Sequence, residues 1–133
     1  MKAKEIMTKE IIMIEETETA AVAIKKMSEK KVSCLIVNRK DYEDAYGIIT
    51  RRDVVNKVVA FGQNPYELYV SDIMTKPLVT VTPSLHIKYV AKLMADTGIR
   101  RVPVFDGHKM MGIISNSDIF RSYAKYLTES ESF

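Results

Sequence analysis

Two aspartates carry the chain's clearest chemical possibility. Asp53 closes the run Gly47-Ile48-Ile49-Thr50-Arg51-Arg52-Asp53, and Asp118 closes Gly112-Ile113-Ile114-Ser115-Asn116-Ser117-Asp118. Each acid follows a hydroxyl residue, Thr50 or Ser115, by three places. A carboxylate can accept from both hydroxyls of a ribose at once, and such charge-assisted bonds are worth roughly 1.5–3 kcal/mol. The same spacing is that of a capping box, in which hydroxyl and acid satisfy the first N–H groups of a helix. On the residues alone the cap is the simpler reading. The two uses are compatible, because Thr50 and Ser115 can cap while the acid faces a ligand.

Candidate phosphate partners lie close by in sequence. Arg51 and Arg52 follow Thr50, where the second run has Asn116 and Ser117. A helix starting at Arg51 or Asn116 offers free N–H groups and partial positive charge, which suit an anion. Arg100 and Arg101 stand at the start of an apolar run and read equally as a solvated surface pair. The chain shows no base–nucleophile pair, metal-ligand cluster or glycine-rich phosphate loop, so neither catalysis nor a metal site is expected. His86 and His108 are single imidazoles expected at the surface. Cys34, the one cysteine, makes no internal disulfide and reads as a small buried residue.

The elements that must position these residues occur twice. Ile6-Met7-Thr8-Lys9 returns 67 positions on as Ile73-Met74-Thr75-Lys76, whereas the two closing runs are 65 apart, Gly47 to Gly112. The two-residue difference falls between Val37 and Gly47, in a polar stretch that reads as a hairpin loop, where length changes cost least. Residues 11–14 and 78–81 read as short strands. Each leads into a helix with one apolar face, on Ala20, Ala23, Ile24 and Met27, or on Ile87, Val90, Ala91 and Met94. Pro83 and Ser84 mark the start of the second helix, and Gly98 is placed to cap its end. Residues 33–37 and 101–105 read as central strands, with 45–49 and 110–114 as their hairpin partners. Last helices are expected over about 51–61 and 116–126, with a turn-rich linker at 62–65. The repeats span 1–65 and 66–127, and 128–133 is a polar tail expected to fray.

Size and composition agree with this plan. The chain has 133 residues, 47% of them apolar and 28% charged, as in an ordinary globular protein. No apolar run approaches the ~20 residues of a membrane span, and the charged start has no apolar stretch behind it to make a signal peptide. A reducing, cytoplasmic setting is the expectation. The net charge of +3 permits a small anionic ligand but is weak for a dedicated nucleic-acid binder. A repeat of about sixty residues buries too little surface to stand alone. Two such β-α-β-β-α repeats are therefore expected to pack sheet to sheet in a mixed α+β fold, with pseudo-two-fold symmetry and a cleft carrying two related sites.

The order of these elements, opened by Asp72-Ile73-Met74-Thr75 and closed by Gly-Ile-Ile-Ser/Thr-x-x-Asp, resembles the CBS (cystathionine-β-synthase) domain. Gly98-Ile99-Arg100-Arg101-Val102-Pro103-Val104 is similar to that family's second-strand motif. The resemblance covers residues 1 to 127 as a tandem pair, a Bateman module. It implies a regulatory protein that binds AMP, ADP or ATP in the inter-repeat cleft, forms a homodimer, and signals to a regulated partner. By the same resemblance Arg100 and Arg101 face the cleft, which disfavours the cationic S-adenosylmethionine. The adenine would sit against the opening segment of the opposite repeat. Ile6, Met7 and Ile11 with Ser33 and Cys34 would then serve the Asp118 site, and Ile73, Met74 and Leu78 the Asp53 site. For Ile11 and Leu78, plain core packing is the stronger reading. Glu16 in place of Pro83 and Ile36 in place of Pro103 depart from the pattern in the first repeat, which argues against equal affinity at the two sites. Two other readings stand beside this one. A ligand-free dimerisation module would use the Tyr66–Tyr69 and Tyr123–Tyr126 pairs. Single-stranded nucleic-acid binding would use Lys25-Lys26, Lys30-Lys31 and Arg51-Arg52, against which the interleaved acids Glu15, Glu16, Glu29 and Asp53 argue.

Overall fold

The computed structural model describes residues 1–130. In chain order the elements are α1 (Ala3–Ile6), β1 (Met13–Ile14), α2 (Ala20–Lys30), β2 (Cys34–Val37), β3 (Gly47–Thr50), α3 (Arg51–Val54) continuing into a π-helical turn Val55–Val59, α4 (Val70–Ile73), α5 (Ile87–Thr97), β4 (Arg101–Phe105), β5 (Met110–Ser115) and α6 (Asn116–Ser130). The fold is mixed α and β, with two small sheets. It divides into two compact units, one of Ile12–Leu78 and the other of Met1–Ile11 together with the chain from Val79 onward. The units are thus cut differently from the sequence repeats. Each takes its opening segment from the other repeat.

In the Ile12–Leu78 unit β1 runs parallel to β2, and β2 pairs antiparallel with β3 in the register Cys34↔Thr50 to Val37↔Gly47. Side chains alternate across a strand, so Leu35, Val37 and Ile49 share one face. There they meet Ala20, Ala23 and Met27 of α2 in a core completed by Val58, Val70 and Ile73. The other unit repeats the plan with β4 against β5, from Arg101↔Ser115 onward. Val90 and Met94 of α5 pack there with Val102, Val104, Ile114 and Ala3 of the opening segment.

The opening segments extend both sheets. Thr8 N–H donates to Ile113 C=O at 2.9 Å and accepts Ile113 N–H at 2.9 Å, while Thr75 and Ile48 exchange the same pair at 2.8 and 2.9 Å. The glycine before each Ile-Ile makes this approach possible. A Cβ on Gly112 would lie 2.7 Å from Thr8 O and 2.8 Å from Met7 Sδ; one on Gly47 would lie 3.1 Å from Met74 Sδ and 3.2 Å from Thr75 O.

Several expected boundaries move for local reasons. The strand expected over 78–81 shrinks to one bridge, Val81 with Val104. In the Ile12–Leu78 unit the N–H of Ile36 donates to Ile12 C=O at 3.0 Å. Its counterpart Pro103 has no N–H, so that rung cannot form. Leu78 instead donates to Tyr46 C=O at 2.9 Å, within the Ile12–Leu78 unit. The start of α5 is set by His86, whose Nδ1 accepts Lys88 N–H at 3.1 Å, and not by Ser84. Gly98 caps its end with φ 75°, as expected, and Lys31 takes the same left-handed role after α2 with φ 56°. Of the tail expected to fray, α6 takes in residues through Ser130; the rest lies outside the described residues.

Among the described residues, one ion cluster of the first repeat has no counterpart in the second. Lys76 Nζ reaches Asp44 Oδ1 at 2.8 Å and Glu16 Oε2 at 3.3 Å. Glu16 stands where the second repeat has Pro83, and Asp44 lies in the longer hairpin loop, so both sequence departures serve one contact. The hydrogen bond from Lys76 holds the Asp44 carboxyl down from 3.8 to about 2 and holds the ammonium above its ordinary value.

Two stability outcomes follow. Gly112→Ala should cost about 1–3 kcal/mol in urea unfolding, and Gly47→Ala less, because only at Gly112 does backbone block the added methyl below 3.0 Å. For Asp44, a lowered folded-state pKa gives stability that is present above pH ~4 and lost as pH falls toward 2. The unfolding midpoint of Lys76→Met should therefore fall less than that of the parent between those pH values. An equal acid slope in both proteins would remove the assignment.

Candidate functional site

Each closing run builds the same junction: a strand ends, a hydroxyl residue caps, and an acid three residues on returns to the cap. At the first, Asp53 N–H donates to Thr50 Oγ at 3.2 Å, and Asp53 Oδ2 accepts Thr50 N–H at 2.9 Å and the Thr50 hydroxyl at 3.0 Å. At the second, Asp118 N–H donates to Ser115 Oγ at 3.1 Å and Oδ2 accepts Ser115 N–H at 2.9 Å. The capping box read from the spacing is present at both. It uses Oδ2 of each acid and leaves Oδ1 to a side-chain cation: Lys57 Nζ at 3.2 Å from Asp53, and an Arg121 guanidinium nitrogen at 3.3 Å from Asp118. Both carboxylates are largely buried, with 14% of the side chain exposed. The backbone thus holds Oδ2 of each, and Oδ1 is left to the side-chain cation.

The neighbours of the two junctions differ. Arg101 is directly opposite Ser115 in the β4–β5 pair, and Cys34 occupies the matching place opposite Thr50. Directly opposed residues on one sheet face are close neighbours, so Arg101, half-buried, stands beside the Asp118 junction. A buried thiol stands beside the Asp53 junction. Arg100 is exposed, and its carbonyl accepts Asn116 N–H at 2.9 Å. Arg51, Arg52 and Ser117 are exposed as well. Arg51, with Ser28 and Lys31, lines a groove of about 460 Å³ beside α2.

Ile6, Met7 and Ile11 belong to the unit of Asp118, and Ile73, Met74 and Leu78 to that of Asp53. Met7 and Met74 lie against the glycines of the closing strands, while Ile73 is buried in the core. Ser33 and Cys34 do not join Ile6 and Met7 in one unit. They sit with Asp53, where Ser33 C=O accepts Arg51 N–H at 3.1 Å. Sequence reading did not single out Lys57 and Arg121, although four and three residues beyond an acid on a helix is a spacing that brings side chains together.

Away from the junctions, α6 carries an exposed aromatic stripe. Phe120, Tyr123 and Tyr126 line an apolar groove of about 670 Å³ with Ile87 and Ala91 of α5. The rings of Tyr123 and Tyr126 stack at 6.4 Å. Tyr66 lies under Lys25 Nζ, 5.1 Å from the ring centre. His86 and His108 are exposed. Among the described residues, no group of three or more His, Cys, Asp or Glu is placed to hold a metal ion, and no helix is long and apolar enough to cross a membrane.

Comparison with known proteins finds the CBS-domain family model at residues 3–60 and again at 70–125. An uncharacterized protein of Methanopyrus kandleri is 42% identical over 119 residues, a match that covers 88% of this chain and 60% of that protein. The chain thus spans about three-fifths of that relative's length. The solved structure of a hexameric CBS-CP12 protein from bloom-forming cyanobacteria matches with a TM-score of 0.88 and 48% identity, over 90% of this chain and 66% of that one. A protein with CBS domains from Burkholderia ambifaria matches at TM-score 0.83 and 31% identity, over 92% and 93%.

The caps themselves can be tested without any ligand. Ser115→Ala and Thr50→Ala should each cost about 1 kcal/mol in urea unfolding. Thr50→Ala should cost the more, since its hydroxyl both donates and accepts.

Proposed function

The chain belongs to the CBS-domain family as a tandem pair, and from that premise we propose that it is a regulatory module for an adenine nucleotide. It binds AMP, ADP or ATP at its strand-to-helix junctions and passes the bound state to a partner protein, with no chemistry of its own. One observation carries the reading. Each junction holds an aspartate by its own cap and leaves one carboxylate oxygen to a side-chain cation. A ribose diol can replace that cation at fixed, prepaid geometry. Apolar opening segments, with Met7 or Met74 against the closing strand, supply a surface for the base. Arg101 beside Ser115 supplies a cation for phosphate at the Asp118 junction and repels a sulfonium ligand.

Self-association accompanies this reading. Phe120, Tyr123, Tyr126 and Leu127 form an apolar stripe that a second copy would cover, and the related CBS-CP12 protein is a hexamer. The module is read as a homodimer. A setting in the cytoplasm fits a nucleotide ligand, and nucleic acid is not among the proposed partners.

Equilibrium titration with AMP, ADP and ATP tests the proposal. Asp118→Ala and Asp53→Ala should each weaken its own site by about ten- to hundredfold, as for a lost charged hydrogen-bond pair. Asp118→Asn, which keeps an acceptor for Ser115 N–H, separates loss of charge from loss of the cap. Unchanged affinity in all three variants would refute the site assignment. A stable dimer with no nucleotide-dependent thermal shift would instead support a purely structural module.

A further inference from the structure

The two junctions share a plan but not their occupancy. Lys57 faces Asp53 Oδ1 at 3.2 Å and also donates to Ile73 C=O at 2.9 Å, at the end of α4. It is therefore tied at two points, to the acid and to the opening segment. It lies in the π-helical turn Val55–Val59, closed by Ala60 N–H donating to Val55 C=O at 2.9 Å. Such turns are rare and occur frequently at functional sites. The second repeat has neither feature: α6 is regular there, and the residue matching Lys57 is Ser122. Among the described residues, the cation at Asp118 Oδ1 is Arg121, at 3.3 Å on a side chain that is 75% exposed, against 44% for Lys57.

We infer that Lys57 is an internal competitor for the ribose position at Asp53, so that the chain's two sites fill in order, Asp118 before Asp53. This rests on the ribose reading of the acids given above. A diol arriving at Asp118 displaces a solvated arm. One arriving at Asp53 must take Oδ1 from an ammonium that the Ile73 carbonyl keeps in place. Arg101 acts in the same direction, since it stands opposite the Asp118 cap where Cys34 stands opposite the Asp53 cap, while Arg51 and Arg52 beside Asp53 favour that junction only for a phosphorylated ligand. Because Lys57 also touches the segment that carries Met74, its displacement is felt at the surface proposed for the base. Lys57 is thus a specificity-determining residue whose removal strengthens one site.

The test uses adenosine as probe, since a nucleoside has no phosphate for Lys57 to attract. In an Asp118→Ala background, which leaves the Asp53 site, Lys57→Met should raise adenosine affinity about three- to fivefold, the scale of a partly exposed ion pair. Lys57→Gln should do the same by a milder change. 2′-Deoxyadenosine, lacking half of the diol, should gain less. Arg121→Met in an Asp53→Ala background should also gain less. If both Lys57 variants leave adenosine affinity unchanged or weaker, or if Arg121→Met gains as much, the competitor assignment is overturned while the ribose reading stands. If adenosine binds neither the parent nor any variant, the ribose reading falls and takes this inference with it.

Discussion

The backbone exchange across each closing strand is the constraint on which the rest of the molecule depends. Thr8 with Ile113, and Thr75 with Ile48, trade N–H···O=C bonds at 2.8–2.9 Å. Two backbones come that close only because Gly112 and Gly47 carry no side chain at the crossing. Three residues after each glycine comes the capping hydroxyl, and three further on the acid. The same short run therefore sets the edge of a sheet, the start of a helix and the orientation of a carboxylate. A shift at the glycine would move all three.

Duplication has given these junctions a common frame and different fittings. Where one repeat has Ile36, with an N–H that completes a three-stranded sheet, the other has Pro103, and its opening strand is reduced to a bridge. Glu16 and Asp44 bind Lys76 on one side; the other has Pro83 and a shorter loop. Cys34 against Arg101 and Lys57 against Ser122 change the charge around the two acids. None of these differences breaks the fold: Ile36 and Pro103 are both buried apolar residues in matching strands, and the others lie in loops, at a strand end or on a helix.

Much of this was legible in the sequence. The repeat, the helix faces of Ala20, Ala23 and Met27 and of Val90 and Met94, the central strands and the two caps all follow from periodicity and turn chemistry. These signals are local, and local rules set them. What escaped was non-local. Nothing in the periodicity of residues 78–81 says that Leu78 bonds to Tyr46. The short helices α1 and α4, four residues each, are also invisible to a pattern that needs several turns. Lys57 shows the boundary between the two cases: its spacing from Asp53 is readable, but its second anchor on Ile73 is not.

The crossing-over of opening segments also bears on how the chain assembles. In this connectivity a single repeat on its own completes its sheet only with the leading residues of another molecule, and its assembly then depends on concentration. Carrying donor and acceptor on one polypeptide makes that encounter intramolecular, at an effective concentration set by the tether.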